Sequence, residues 1–257
     1  MTSAIIVFDI DGVIRDVGKS YRRAIADTVE KFTNGGYRPT MDDIDCLKSE
    51  GIWNNDWEGS RELTYRYWEK EGQERSSLNL NYQAIIDFFQ SCYRGSDPNN
   101  WNGYITTEPL LVQIDYFNAL SAQDITWGFF SGATRGSAEY VLKKRLGLKA
   151  PLLVAMEDAP GKPDPTGLFA TVRQLEGESP SIPVLYAGDT VADMQTIIAA
   201  RKGQPQRKWI GIGVLPPHVL EDSQRREAYA TTLKEAGASL VLNAVKDLTA
   251  ARVQQVL

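Results

Sequence analysis

Short runs of apolar residues, each ended by polar residues or glycine, recur along much of the chain. The first run covers residues 4–8, and later runs cover residues 125–130, 152–155, 184–187, 209–214 and 240–242. Continuous apolar runs of this length are typical of strands buried on both faces of a parallel sheet. Segments with helical spacing lie between the later runs, at residues 108–121, 137–146, 166–174 and 193–202, and a further helix is predicted at the C-terminus. This alternation predicts an α/β fold, a doubly wound parallel sheet with helices on both faces.

The stretch between the first two runs has a different pattern. Apolar and aromatic residues recur there at helical spacing, and glycine-containing breaks separate predicted helices at residues 19–32, 40–48, 57–71 and 82–93. We therefore predict two domains. Residues 1–14 and 106–257 form an α/β core, and residues 15–105 form an inserted α-helical domain.

Composition narrows the classes of partner. The 257 residues are 42% hydrophobic and 24% charged, with a net charge of −5. This balance gives no basic face for nucleic acid and no polybasic segment for a lipid surface. No stretch approaches the ~18 apolar residues of a membrane span. We predict a cytoplasmic protein that binds a small molecule rather than nucleic acid or a membrane, either as a monomer or as a homodimer.

The first apolar run ends in the sequence Asp9-Ile10-Asp11-Gly12. Asp and Gly are common turn residues, so this segment by itself is also compatible with a strand followed by an ordinary turn. However, open α/β sheets bind their ligands outside the carboxyl ends of the strands. Two carboxylates at that position either hold a hard cation or share nucleophilic and acid/base roles.

Further polar residues follow the later strands. Ser131 and Gly132 follow residues 125–130, Lys162 follows residues 152–155, and Asp189 and Asp193 follow residues 184–187. In a parallel sheet all of them share one edge with the first two aspartates. Four carboxylates cannot all stay ionised there without a counter-charge, which Mg²⁺ would supply. The lysine can bind a phosphate oxygen, and Ser131 with the N–H of Gly132, at a predicted helix start, suits an anion. The sequence therefore predicts a site that neutralises a phosphoryl group.

The ordered set of motifs resembles that of the haloacid dehalogenase-like (HAD) hydrolase superfamily, subfamily I. The four motifs are Asp9-Ile10-Asp11-Gly12, Phe129-Phe130-Ser131, Lys162-Pro163-Asp164-Pro165, and Gly188-Asp189-Thr190 with Asp193. The inserted helical domain resembles the C1 cap of the phosphoglycolate phosphatase-like branch. The resemblance implies a Rossmann-like core with a helical cap. Gly132 departs from the pattern, since asparagine is common at that position.

The resemblance also implies roles for individual residues. Asp9 would be the nucleophile that forms an aspartyl-phosphate, and Asp11 would protonate the leaving oxygen and then activate water. Ser131, Gly132 and Lys162 would bind the phosphoryl oxygens. The Mg²⁺ ligands would be Asp9, Asp11 through its backbone carbonyl, and Asp189, with Asp193 supporting either the metal or Lys162.

The inserted domain would select the substrate, because a cap closes over the phosphate site and excludes water. Asn54, Asn55 and Arg61 are candidate contacts to a polar leaving group. The alternative is that Asn55 or Asp56 caps the following helix and that the nearby tryptophans fill the core of the cap.

We therefore expect a Mg²⁺-dependent phosphatase that hydrolyses a small phosphorylated metabolite. A phosphomutase would use the same phosphorylated aspartate but return the phosphoryl group to a sugar. A non-catalytic protein that binds a phosphorylated ligand or a metal is the alternative from another class.

Overall fold

The computed structural model describes residues 3–53, 55–98, 100–176 and 182–257. The chain divides into two compact units. The core unit consists of Met1–Asp16 and Pro109–Leu257, and the helical unit consists of Val17–Glu108. The candidate residues that follow the predicted strands all belong to the core unit.

The described residues of the core unit form one sheet of six parallel strands. The strands are β1 (Ala4–Phe8), β2 (Ile125–Phe130), β3 (Leu153–Val154), β4 (Val184–Gly188), β5 (Trp209–Val214) and β6 (Leu240–Leu242). Their spatial order is β3-β2-β1-β4-β5-β6. The chain thus builds outward from β1 to β3 and then returns to the other side of β1. The predicted doubly wound α/β fold is confirmed, and the point of reversal, where such sheets bind ligands, lies between β1 and β4.

Helices occupy most of the remaining described chain. In chain order they are α1 (Tyr21–Phe32), α2 (Met41–Ser49), α3 (Asp56–Lys70), α4 (Tyr82–Tyr93), α5 (Ile114–Ser121), α6 (Arg135–Glu139), α7 (Thr166–Glu176), α8 (Val191–Gly203), α9 (Ser223–Glu235) and α10 (Ala250–Val256). Helix α6 continues as a π-helix over Tyr140–Arg145. Within the described residues no helix is both long and apolar enough to cross a membrane.

Strand β1 is apolar at every position because both of its faces are buried. Ile5 and Val7 lie in the core on one face of the sheet, whereas Ile6 and Phe8 lie in the core on the other face. Each of these side chains is fully buried, which stabilises the fold by about 1.5–3 kcal/mol per side chain. Phe8 is in register with Phe129 of β2 and with Ala187 of β4. The residue after Phe8 is therefore held at the carboxyl edge of the sheet.

Two sequence-based boundaries differ from the structure. The helix predicted at residues 108–121 begins only at Ile114. The residues before it run beside the segment that follows β1, since Leu111 N–H donates to the Ile14 carbonyl at 2.8 Å and Asp16 N–H to the Pro109 carbonyl at 2.9 Å. This pairing also places the division between the compact units after Asp16 and after Glu108, rather than at the predicted 14/15 and 105/106 boundaries.

The helical unit has a small aromatic core of its own. Tyr21 of α1 stacks on Tyr93 of α4 with ring centroids 4.0 Å apart, and Phe89 lies 5.6 Å from Tyr21. At the base of the unit, the buried Ser20 hydroxyl donates to the Glu108 carboxylate at 2.5 Å. The helical unit is thus held together by aromatic packing between α1 and α4 and by a buried hydrogen bond between its two ends.

Candidate active site

Three of the predicted carboxylates meet where β1 and β4 end. Asp9 follows β1 directly, and its backbone N–H donates to the Ala187 carbonyl of β4 at 2.8 Å. Asp189 follows β4, and Asp193 lies in the first turn of α8. One carboxylate oxygen from each of the three lies within 4.8 Å of the others, and all three residues are buried. The structure therefore gathers acidic groups from two strand ends and one helix start.

A buried lysine supplies positive charge to this cluster. Lys162, in the segment between β3 and α7, has its Nζ atom 2.8 Å from Asp9 Oδ1 and 2.6 Å from Asp193 Oδ1. The ammonium also lies 5.3 Å from the ring centroid of Phe130 and 5.5 Å from that of Tyr186. Aromatic faces attract cations at such distances. Two carboxylates and two rings thus hold the lysine in one position.

Asp193 is saturated by donors within the protein. Its Oδ1 atom accepts from Lys162 Nζ and, at 2.7 Å, from the Tyr186 hydroxyl. Its Oδ2 atom accepts from Thr190 N at 3.0 Å and from Thr190 Oγ1 at 2.6 Å, which completes the capping box at the start of α8. A carboxylate has about four acceptor sites. The four donors therefore account for this side chain, which anchors Lys162 to α8.

Burial and neighbouring charges shift the pKa values of the clustered groups in different directions. Burial, together with the charges of Asp193 and Asp11, raises the pKa of Asp9 to about 7, although Lys162 lowers it. Burial also disfavours the Lys162 ammonium, but Asp193 and Asp9 outweigh this and raise the lysine pKa above its usual value. Lys162 in turn lowers the pKa of Asp193 against the effect of burial. One ammonium is thus shared by carboxylates that it cannot fully compensate.

Two glycines allow the backbone to approach these carboxylates. Gly12 has a φ of +74°, and a Cβ atom on it would lie 2.0 Å from Asp189 Oδ2. A Cβ on Gly188 would lie 2.4 Å from Cβ of Asp193. A side chain at either position would displace an acidic group. Both glycines of the predicted motifs are therefore required by space, and Gly12 is required by conformation as well.

Asp11 does not join the group of three. Its Oδ1 atom lies 2.6 Å from Nε and 2.5 Å from Nη2 of Arg15, whose side chain is fully buried. Arg15 was not identified from the sequence. It directly follows Val13-Ile14 and precedes Asp16, and this local pattern does not distinguish a buried arginine from an exposed one. Tyr186 was not identified either, although a tyrosine hydroxyl inside a buried strand needs a hydrogen-bond acceptor.

Ser131 follows β2 at the same edge of the sheet. It is buried, and its hydroxyl accepts a hydrogen bond from Ala133 N–H at 3.1 Å. The predicted helix start at Ser131 and Gly132 is wrong, because α6 begins at Arg135. The hydroxyl instead closes a short turn that leads away from the strand.

The substrate contacts predicted in the inserted domain have partners within the helical unit. Asn55 caps α3, since its Oδ1 atom accepts from Trp57 N–H at 2.9 Å and from Glu58 N–H at 3.3 Å. The guanidinium of Arg61 lies 4.5 Å from the centroid of the Tyr82 ring. Asn54 lies outside the described residues. Contact of these three residues with a substrate stays a prediction. The alternative role of Asn55 as a helix cap is present in the structure.

Comparison with known proteins identifies a family for this arrangement. The model of the haloacid dehalogenase-like hydrolases matches residues 4–201, a segment that holds all four motifs. One curated relative, the imidazoleglycerol-phosphate dehydratase of Phytophthora nicotianae, is 30% identical over 242 residues. The match covers 92% of this chain and 49% of that protein, so the chain spans about half the length of this relative.

Solved structures share the fold. A phosphonoacetaldehyde hydrolase-like protein from Oleispira antarctica superposes with a TM-score of 0.70 at 19% identity, covering 99% of this chain and 92% of that one. Phosphatase Tt82 from Thermococcus thioreducens superposes with a TM-score of 0.60 at 23% identity, covering 88% of this chain and 98% of that one. At these identities the likeness shows the architecture.

Gly12→Ala should destabilise the protein more than Gly147→Ala. Both glycines have positive φ, +74° and +83°, but a Cβ at position 147 would meet nothing within 4 Å. Left-handed backbone costs about 1–2 kcal/mol for a residue with a Cβ, so this cost is common to both variants. The additional loss in Gly12→Ala measures the clash with Asp189. Free energies of unfolding in urea test this, and equal losses would show that Asp189 moves aside without cost.

Tyr186→Phe should lower the free energy of unfolding by about 1.5–3 kcal/mol, because a buried carboxylate loses a charge-assisted hydrogen bond. Tyr116→Phe is the matched control, since the Tyr116 hydroxyl donates to the neutral carbonyls of Val245 and Leu248. That loss should be about 1 kcal/mol. A smaller effect at Tyr186 than at Tyr116 would contradict the proposed anchoring of Asp193.

Proposed function

The chain belongs to the haloacid dehalogenase-like hydrolase family, and from this premise we propose that it is a Mg²⁺-dependent phosphatase acting on a small phosphate monoester. The observation that carries the proposal is the cluster of Asp9, Asp189 and Asp193 around Lys162 at the carboxyl edge of the sheet. It combines a carboxylate nucleophile with an ammonium that can bind a phosphoryl oxygen.

The residues of the site fit a divalent cation. Asp9 and Asp189 offer only oxygen donors, which Mg²⁺ prefers. Within the described chain, the buried Oδ1 atom of Asp9 makes no well-directed hydrogen bond, although Lys162 lies 2.8 Å away. Asp193 is already saturated, so we assign it to Lys162 and assign Asp9 and Asp189 to the metal. When bound, Mg²⁺ would neutralise charge on the phosphoryl group and on the carboxylates.

In the proposed reaction Asp9 attacks phosphorus and forms an aspartyl-phosphate, while the bond from phosphorus to the leaving oxygen breaks. Lys162 binds a phosphoryl oxygen and limits the build-up of negative charge. Asp11 gives a proton to the leaving oxygen and later takes one from the water that hydrolyses the intermediate. The family resemblance and the placement of both aspartates beyond β1 support these roles. Ser131, after β2, is a candidate donor to the phosphoryl group.

We also propose that the helical unit, inserted between Asp16 and Pro109, acts as the cap and selects the substrate. The insertion point supports this, because the unit begins at Val17, shortly after Gly12 ends the first motif. The curated relative is named for imidazoleglycerol phosphate, which is itself a phosphate monoester. A substrate panel should therefore include this compound, and phosphate release should be measured separately from water loss. A phosphomutase would instead return the phosphoryl group to a second hydroxyl of a sugar phosphate.

Asp9→Asn should reduce phosphate release from p-nitrophenyl phosphate by at least about a thousandfold, since the amide cannot act as the nucleophile. Asp222→Asn is a matched control, because Asp222 caps α9 at 2.8 Å from Arg225 N and asparagine caps equally well. Radiolabelled substrate should leave an acid-stable label on the wild type and none on Asp9→Asn. Near-normal turnover by Asp9→Asn would rule out Asp9 as the nucleophile.

Excess EDTA should abolish phosphate release, because removal of the metal leaves the carboxylates of Asp9 and Asp189 without their counter-charge. Added Mg²⁺ should restore the activity. Circular dichroism in EDTA serves as the control and should show an intact fold. Full activity in EDTA would exclude the metal from the proposed mechanism.

A further inference from the structure

Arg15 is one of the largest fully buried side chains of the described protein. Its backbone is held on both sides by a tight loop after β1. The Gly12 N–H donates to the Arg15 carbonyl at 2.9 Å, and the Arg15 N–H donates to the Ile10 carbonyl at 3.1 Å. Isolated β-bridges to Asp11 and to Leu110, outside the six strands, also hold the same residue. The position of its Cα is therefore set by the backbone.

The guanidinium of Arg15 is directed at Asp11. Its Nε atom lies 2.6 Å and its Nη2 atom 2.5 Å from Asp11 Oδ1. The Arg15 side chain is 0% exposed, whereas that of Asp11 is 26% exposed. Within the described chain, Nε donates the well-directed hydrogen bond to Asp11 Oδ1, whereas Nη2 contributes its charge at short range without one. A buried planar guanidinium in this position restricts the orientation of the carboxylate more than a flexible ammonium would. The pair thus consists of an immobile cation and a carboxylate that reaches the surface of the site.

We propose that Arg15 is a positioning residue that orients the Asp11 carboxylate for proton transfer to the leaving oxygen. This inference rests on the proposed phosphatase function. In that step the bond between phosphorus and the leaving oxygen breaks as Asp9 bonds to phosphorus, and the proton of Asp11 moves to the leaving oxygen. Arg15 does not contact the reacting atoms. It acts by holding Asp11 where the transfer distance is short, and misplacement of about 1 Å can cost on the order of 100-fold in rate.

The alternative is that Arg15 only stabilises the fold as a buried ion pair. The two roles differ in how the effect depends on the leaving group. An alkyl alkoxide needs a proton in order to leave, whereas a dinitrophenolate leaves without one. Loss of positioning therefore slows the alkyl ester selectively, and loss of stability slows both esters alike.

The experiment compares kcat/KM for an alkyl phosphate and for 2,4-dinitrophenyl phosphate in the 257-residue protein with Mg²⁺. This parameter covers the steps up to departure of the leaving group. Arg15→Met should lower kcat/KM for the alkyl ester at least about tenfold more than for the aryl ester. Arg15→Lys keeps the charge without the planar fork and should show a smaller selective loss. This second variant carries the test if Arg15→Met does not fold.

A matched control is available on the opposite edge of the sheet. Arg207, close before β5, forms a largely buried pair with Glu176 at 2.5 Å. Arg207→Met should lower the melting temperature and leave the ratio of the two kcat/KM values unchanged. In an Asp11→Asn background, Arg15→Lys should have no further effect on that ratio, because the group that it positions is gone.

The outcomes separate the inference from the function on which it rests. A uniform loss for both esters in Arg15→Met and Arg15→Lys overturns the positioning role and leaves the phosphatase in place. A selective loss in Arg207→Met, or one that persists in Asp11→Asn, overturns it as well. If the wild type releases phosphate from neither ester, the proposed function and the inference fail together.

Discussion

The structure depends on one electrostatic constraint: four carboxylates lie at or near the end of β1 and β4, and two cations face them. Arg15 compensates Asp11, and Lys162 is shared between Asp9 and Asp193. Two of the four negative charges remain without a compensating cation, and three of the four carboxylates are buried, where like charges disfavour ionisation. Burial, reinforced by the charges of Asp193 and Asp11, raises the pKa of Asp9 to about 7 despite the opposing charge of Lys162. A divalent cation, as proposed for this site, would supply the missing positive charge.

The same constraint explains why so many structural features converge on one edge of the sheet. Asp193 caps α8 through Thr190, accepts from Tyr186 of β4 and binds Lys162. The lysine is thereby tied through Asp193 to a helix start and a strand, so its departure would leave a buried carboxylate without its ammonium partner. The requirement for glycine at Gly12 has the same origin, since Asp189 occupies the space that a Cβ would need.

Strands β1, β4 and β5 were predictable because every one of their residues is buried and the apolar pattern is local in sequence. The order of the motifs along the chain likewise indicated which residues share the carboxyl edge. Arg15 and Tyr186 were not identified, because their roles depend on partners that only the loop after β1 and the start of α8 bring near. The start of α5 was predicted too early, because residues 109–111 pair with the segment after β1, and helical periodicity does not report such pairing.

The two aspartates of the first motif are only two residues apart, and their surroundings separate them. Asp9 is almost completely buried beside Lys162, whereas the Asp11 side chain is 26% exposed and bound by Arg15. Pairs of titratable groups whose environments differ in this way are suited to different steps of one reaction. A buried carboxylate fixed between two strands suits attack along one direction. A carboxylate at the surface of the site, oriented from behind by an immobile guanidinium, suits proton exchange with a leaving group and with water. The proposed division of roles therefore accords with the loop that turns at Gly12, across which Asp9 is buried and Asp11 is partly exposed.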